Sequence, residues 1–252
     1  KTYNRDFVEI SYPHIDRQVY FPLSQIKVAK FDIEMLSGKI GYIMGSGDEI
    51  PDALRNLGYE VVELDDDMVE NMDFSQLTTI IIGVRAYNIR EQLIKSHPKM
   101  MRYVENGGTL IVQYTRPSAS LTSSIGPYPF TIGRQDRVSD ETAPVRFLNP
   151  EHQLLNYPNK ITQKDFDGWI QERGLYFLSQ WDERYETIIS CHDRNEGDLA
   201  GGMLFTRYGK GVFIYTAYAW FRQLPAGIPG AYRLFVNLVS AGQYNGNTIG
   251  EN

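Results

Sequence analysis

Four short segments carry the side chains that could do chemistry: Gly45-Ser46-Gly47-Asp48-Glu49, Gly83-Val84-Arg85-Ala86-Tyr87-Asn88, Tyr114-Thr115-Arg116-Pro117 and Ala217-Tyr218-Ala219-Trp220-Phe221-Arg222-Gln223. Each follows a run of apolar residues. If the second and third runs are adjacent strands, Arg85, Tyr87, Asn88, Tyr114 and Arg116 share one rim, and the fourth segment adds Arg222. Guanidiniums among aromatic and amide side chains suit a carboxylate, phosphate or sugar ligand. The same arginines could instead pair with acidic residues of a neighbouring segment and pin it down. The first segment is half of a dinucleotide fingerprint, but its third glycine is missing and Asp48 and Glu49 would repel a phosphate. A tight turn whose acidic residues complement a helix dipole accounts for it better.

A second group lies in Asp165-Phe166-Asp167-Gly168-Trp169-Ile170-Gln171-Glu172-Arg173. Trp169 with flanking carboxylates could be a sugar-stacking platform or, as is more common for such a tryptophan, an anchor in the core. Asp165, Asp167 or Glu172 could serve as acid and base in hydrolysis of a sugar derivative if their surroundings separate their pKa values. Carboxylates spaced this closely are more often surface or cap residues. Cys191 stands beside His192, a nucleophile next to a base, yet neighbours on a strand point to opposite faces. His14, His97, His152 and His192 are scattered, and Pro13-His14-Ile15-Asp16 has no partner histidines nearby, so no metal site and no cofactor are expected. Tyr218, Trp220 and Phe221 would form an apolar patch if the chain is a structural or homodimerising domain.

The elements that would position these groups follow from hydrophobic periodicity. Residues 1–36 alternate short apolar runs (Phe7 to Ile10, Val19 to Phe21, Ile26 to Val28) with Pro13 and Pro22, which reads as a β-rich appendage or linker. From residue 37 the pattern becomes an α/β domain reaching residue 252. Lys39 to Met44, Tyr59 to Leu64, Leu77 to Ile82 and Thr109 to Tyr114 read as strands. Helices are expected from Pro51 to Gly58 and over 89–105. Repeated β-α-β units predict a flavodoxin-like doubly wound, mostly parallel sheet. Residues 116–180, rich in Pro, Gly, Asn and Asp, read as an irregular insertion with a helix near 162–172. Three more strands (186–191, 202–207, 211–216) and a closing helix from Gly230 through Leu238 complete the pattern.

Composition removes several classes of function. With 42% hydrophobic, 13% aromatic and 22% charged residues in 252, the chain can bury a core and is neither disordered nor collagen-like. Thirty-one acidic against 25 basic residues give a net charge of −6, with no basic cluster, which disfavours nucleic-acid binding. No apolar run approaches the roughly 20 residues of a membrane span, and Lys1 to Asp6 do not resemble a signal-peptide core. A single cysteine excludes an intramolecular disulfide.

The order of strands, with Gly107-Gly108-Thr109 leading to Tyr114 and Gly209-Lys210-Gly211 leading to Thr216, resembles the class I glutamine amidotransferase-like fold, including its trehalose-utilisation (ThuA-like) branch, over about residues 38–242. Ile125-Gly126-Pro127-Tyr128-Pro129-Phe130, Phe147-Leu148-Asn149-Pro150, Gly168 to Gly174 and Phe221 to Gly227 resemble the carboxy-terminal domain of large Bacteroidetes-type PIG-L (LmbE-like) deacetylases. That second resemblance implies a parent zinc-dependent N-acetylglucosaminyl deacetylase whose Pro-His-Pro-Asp-Asp and His-x-x-His motifs lie outside this chain, with neighbouring domains as partners and a periplasmic or cell-surface location. Amidotransferases need a cysteine elbow after the strand ending at Tyr114 and a His-x-Glu pair after the strand ending near Thr216. Here those positions hold Tyr114-Thr115-Arg116 and Ala217-Tyr218-Ala219. The resemblance therefore implies a non-catalytic accessory domain binding a carbohydrate or anionic small molecule, or a neighbouring domain, through Arg85, Tyr87, Asn88, Tyr114, Arg116, Trp169 and Arg222.

Overall fold

Lys39-Ile40-Gly41-Tyr42-Ile43 forms strand β1, in which Ile40, Tyr42 and Ile43 are fully buried. Pro51, lacking an N–H where a helix needs none, opens helix α1 (Ile50–Leu57), and Gly58, left-handed at φ 105°, closes it. A computed structural model describes residues 4–25, 28–118, 121 and 125–246. Within them the chain divides into two compact units, 1–30 and 31–252.

The first unit contains an antiparallel hairpin of Val8–Ile10 with Gln18–Tyr20, Val8 opposite Tyr20. Phe7 and Phe21 stack at 5.8 Å beside it. Of the expected third run, Ile26 and Lys27 lie outside the described residues.

The second unit is built on a seven-stranded sheet. After β1 come β2 (Glu60–Glu63), β3 (Thr79–Ile82), β4 (Thr109–Gln113), β5 (Glu186–Thr187), β6 (Met203–Tyr208) and β7 (Gly211–Thr216), in the spatial order β5-β6-β7-β4-β3-β1-β2. The five strands β2, β1, β3, β4 and β7 run parallel, and β6 and β5 return antiparallel. The parallel part has the flavodoxin-like order, which reverses direction between β1 and β3. Every residue of β3 and β4 is buried, so both faces of the sheet are covered, as the unbroken apolar runs require.

The expected helix over 89–105 is three short ones after helix α2 (Asp66–Asn71): α3 (Ala86–Ile89), α4 (Glu91–Lys95) and α5 (His97–Glu105). Arg90 is extended (φ −118°, ψ 92°) and breaks the first pair, and Pro98 enters in the first turn of α5.

The insertion is more regular than its composition suggests. Phe130–Ile132 pairs with Leu178–Trp181, Arg137–Val138 with Gly174–Leu175, and Val145–Phe147 with Ile189–Cys191, all antiparallel. The single strand expected over 186–191 is thus divided between the main sheet and the insertion. Helix α6 (Gln153–Asn156) follows, but the helix expected near 162–172 is only a 3-10 turn, Gln163–Phe166. Gly168 and Gln171 take left-handed φ values of 71° and 67°, which end any helix there. Helices α7 (Trp220–Gln223) and α8 (Pro229–Val239) close the chain, α8 tied to β3 by the Thr79 hydroxyl donating to the Val239 carbonyl at 2.7 Å.

Candidate functional site

The crevice beyond the carboxyl ends of β1, β3, β4 and β7 is where a sheet of this order binds ligands. Two loops meet there at backbone distance. A Cβ on Gly45 would lie 2.0 Å from the Val84 carbonyl oxygen, so only glycine lets the turn after β1 press against the turn after β3. That second turn holds Arg85 in the left-handed region at φ 59°, ψ 17°, uncommon for a residue with a side chain. Its N–H donates to the Tyr114 carbonyl at 2.9 Å, which binds the ends of β3 and β4 together.

Asn88 completes the junction. Its side-chain oxygen accepts the Arg116 N–H at 2.7 Å and its amide donates to the Arg116 carbonyl at 3.1 Å, so Arg116 is fixed by its backbone while its guanidinium stays exposed. Among the described residues neither Arg85 nor Arg116 uses its guanidinium in a hydrogen bond or ion pair, and the Nε of Arg85 is buried without a partner.

Arg222 behaves differently. Its Nε donates to Glu172 at 2.8 Å and a terminal nitrogen donates to Gln171, both in the insertion, so this arginine does pin the insertion to the sheet. Tyr114 lies among these groups, its ring 5.6 Å from Tyr176 and 5.7 Å from Phe221. Burial raises the Tyr114 phenol above its ordinary pKa, with the Glu172 charge adding to it, and the phenol remains a neutral donor.

A polar trio lies beneath this rim. Tyr42, on β1, extends across Gly83, where a Cβ would come within 3.1 Å of its ring, and receives the Gln113 amide of β4 at 3.0 Å. Its hydroxyl donates to the Asp48 carboxylate at 2.7–2.8 Å, and Asp48 also accepts the Ile50 N–H at 3.0 Å. Asp48 therefore occupies the helix-terminal N–H from inside, in the position a bound phosphate would need. Burial raises the pKa of both Tyr42 and Asp48. Tyr42→Phe is expected to cost about 1–3 kcal/mol, because Gln113 and Asp48 both stay buried and lose a partner. Urea unfolding that leaves the midpoint unchanged would contradict this.

Other expected site residues lie elsewhere or are committed. Tyr87 is buried, with its hydroxyl 3.4 Å from His97 Nδ1, and does not face the rim. Trp169 is 3% exposed and donates through Nε1 to the Asp165 carbonyl at 3.1 Å, packed against Phe166, Tyr218 and Trp220; it is the core anchor and offers no stacking platform. Asp165 caps its own turn by accepting the Thr162 N–H at 2.7 Å and binds Arg233 at 2.9 Å. Asp167 is exposed and Glu172 is held by Arg222, so the three carboxylates have separate structural settings.

Cys191 is fully buried, 3.5 Å from the Tyr218 hydroxyl, and burial pushes its thiol up to about 11, which removes the thiolate at neutral pH. The His192 ring is engaged with the Asp193 carbonyl at 2.9 Å instead. Tyr218 and Trp220 are buried and Phe221 half-buried, so the three do not form an exposed patch. No cluster of three metal-ligating side chains occurs among the described residues, and no described helix is long and apolar enough to cross a membrane.

No family model matches the chain, and no curated protein matches its sequence. Solved structures do. The chain is similar to the N-terminal domain of mmIFT52 (TM-score 0.54, 9% identity, covering 82% of this chain and 98% of that one). It is also similar to PurLQS from Thermotoga maritima (TM-score 0.52, 11% identity, 82% and 99% covered) and to a GMP synthase protein from Thermoplasma acidophilum (TM-score 0.51, 10% identity, 84% and 98% covered). At such identities the likeness is one of fold, and the fold is class I glutamine amidotransferase-like.

Proposed function

We propose that this chain is a non-catalytic amidotransferase-like domain whose strand-end rim binds an anionic group, most simply the carboxylate of a carbohydrate acid. On this reading it serves as the accessory domain of a PIG-L-type N-acetylglucosaminyl deacetylase. The observation that carries the ligand is Arg85: a guanidinium with a buried, unpartnered Nε, on a backbone held in the left-handed region. Strain of this kind costs on the order of 1–3 kcal/mol and persists where surrounding contacts impose it, often at ligand clamps. Arg116, clamped by its backbone to Asn88, supplies a second uncommitted cation on the same junction. Tyr114 offers a neutral phenol between them and the insertion.

The absence of turnover follows from the chemistry of the two positions that catalyse in amidotransferases. Tyr114-Thr115-Arg116 contains no thiol, and in Ala217-Tyr218-Ala219 the one ionisable side chain is a buried phenol whose pKa burial raises well above the ordinary value. The deacetylase association rests on the sequence resemblance alone.

The test separates fold from ligand. Arg85→Gly relieves the left-handed strain and is expected to raise stability by roughly 1 kcal/mol while lowering affinity for glucuronate or galacturonate at least tenfold. Arg116→Ala should weaken the same binding with stability unchanged. Calorimetric titration showing no uronate binding to the unaltered protein, or equal binding by Arg85→Gly, would sink the reading.

A further inference from the structure

At the opposite, amino-terminal end of β3 and β4 lies a second concavity, a groove of about 520 Å³ between α5 and the segment 73–78. Its size falls in the range that holds a small organic ligand. The floor is aromatic: Phe74 and Tyr103 meet edge to face at 6.0 Å and 85°. Gly108 makes that floor possible, since a Cβ there would lie 2.2–2.4 Å from the Tyr103 ring.

The walls are fixed by bonds within the protein. The Tyr103 hydroxyl donates to the Leu77 carbonyl at 3.1 Å. Lys99 donates to the carbonyls of Val69, Glu70 and Met72 at 3.0, 2.8 and 2.6 Å, with its ammonium 4.3 Å above the Phe74 ring. Asp73 is taken up by the Ser75 N–H and hydroxyl at 2.9 and 2.7 Å. These groups hold the groove open and have little left to offer a ligand. Two lining side chains remain uncommitted among the described residues: Arg102 and Asn106, one helical turn apart at the end of α5.

We propose that this groove binds a small planar aromatic carboxylate, with the ring against Phe74 and Tyr103, the carboxylate on the fork of Arg102 and a ring substituent on the amide of Asn106. Lys99 and Arg102 against the single charge of Asp73 leave the groove net positive, which selects an anion over a neutral ring. The preformed, pinned walls reduce the ordering cost of binding. The site is independent of the rim at the other end of the sheet.

Titration calorimetry with 4-hydroxybenzoate, benzoate and benzamide tests it. The expected result is saturable 1:1 binding of both carboxylates, at least tenfold tighter than benzamide, with 4-hydroxybenzoate the tighter of the two. Arg102→Met, an exposed change, should reduce the carboxylates to the level of benzamide, and Asn106→Ala should erase the advantage of the hydroxyl. Arg85→Gly should leave all three affinities unchanged. No saturable binding of either carboxylate, equal binding by Arg102→Met, or loss of binding in Arg85→Gly would each overturn the proposal; the last would assign the ligand to the rim.

Discussion

Arg173→Met is expected to lower the unfolding free energy by about 3 kcal/mol, and more than any substitution at the rim. The Arg173 guanidinium is 3% exposed and has no carboxylate partner within ion-pair distance; burial lowers its pKa. What holds it is backbone. Nε and a terminal nitrogen both donate to the Ala143 carbonyl, at 3.1 and 2.9 Å, and the other terminal nitrogen donates to the Phe166 carbonyl at 2.7 Å. The cation also lies 5.3 Å from the centre of the Trp169 ring. One side chain thus joins two stretches of the insertion with few backbone ladders of their own. Methionine fills similar volume but leaves both carbonyls buried without donors, which outweighs the relief of no longer burying a charge. Lysine, which cannot fork, should fall between the two. Urea unfolding monitored by tryptophan fluorescence would decide it, and a variant within 0.5 kcal/mol, roughly the scatter of a neutral surface change, would show that the insertion is held by apolar packing alone.

The second large effect is acid destabilisation between about pH 6.5 and 4. Burial lowers both His97 and His152 to about 4. For His152 the geometry adds a reason: its Nδ1 accepts the Leu154 N–H at 3.1 Å, which only the neutral ring can do. A base whose folded pKa lies below its unfolded value binds fewer protons when folded, so its full contribution is present above the unfolded pKa. Stability is then lost as pH falls through the window between the two. The loss should approach roughly 3 kcal/mol for His152, with less from the half-buried His97. Asp48 acts in the opposite sense. Its raised folded pKa favours the folded state at low pH, and that contribution is lost as pH rises. His152→Asn keeps an acceptor for the Leu154 N–H and is expected to flatten the curve. An unaltered slope in that variant would exclude His152 as its source.

The sheet was readable because its strands are buried on both faces and therefore unbroken in hydrophobicity: Gly211–Thr216 and the starts of β1 and β4 fall where periodicity puts them. Helix boundaries around 89–105 were less accessible, since the extended geometry of Arg90 has no local sequence signal. The rim was half legible. Strand ends pointed to Arg85, Asn88 and Arg116, but the commitment of Arg222 to Glu172 spans 50 residues. Asp48 looked like a helix-dipole partner because the residue that captures it, Tyr42, must cross a neighbouring strand at Gly83 to reach Gln113. Trp169 and Asp165 looked available for chemistry for the same reason: the groups that engage them, Tyr218, Trp220 and Arg233, lie far along the chain.

The two ends of the sheet bear on how this chain meets copies of itself. At one end β5 has only two residues, Glu186 and Thr187, too few to template an added strand. At the other, β2 begins and ends in glutamates tied inward, Glu60 to Lys39 at 2.5 Å and Glu63 to Arg55 at 2.8 Å. A second molecule adding edge to edge would have to bring its own strand against this acidic border or find purchase on a single dipeptide. The sheet of this unit is thereby guarded against fibrous growth, and association of folded chains is left to surfaces other than its margins.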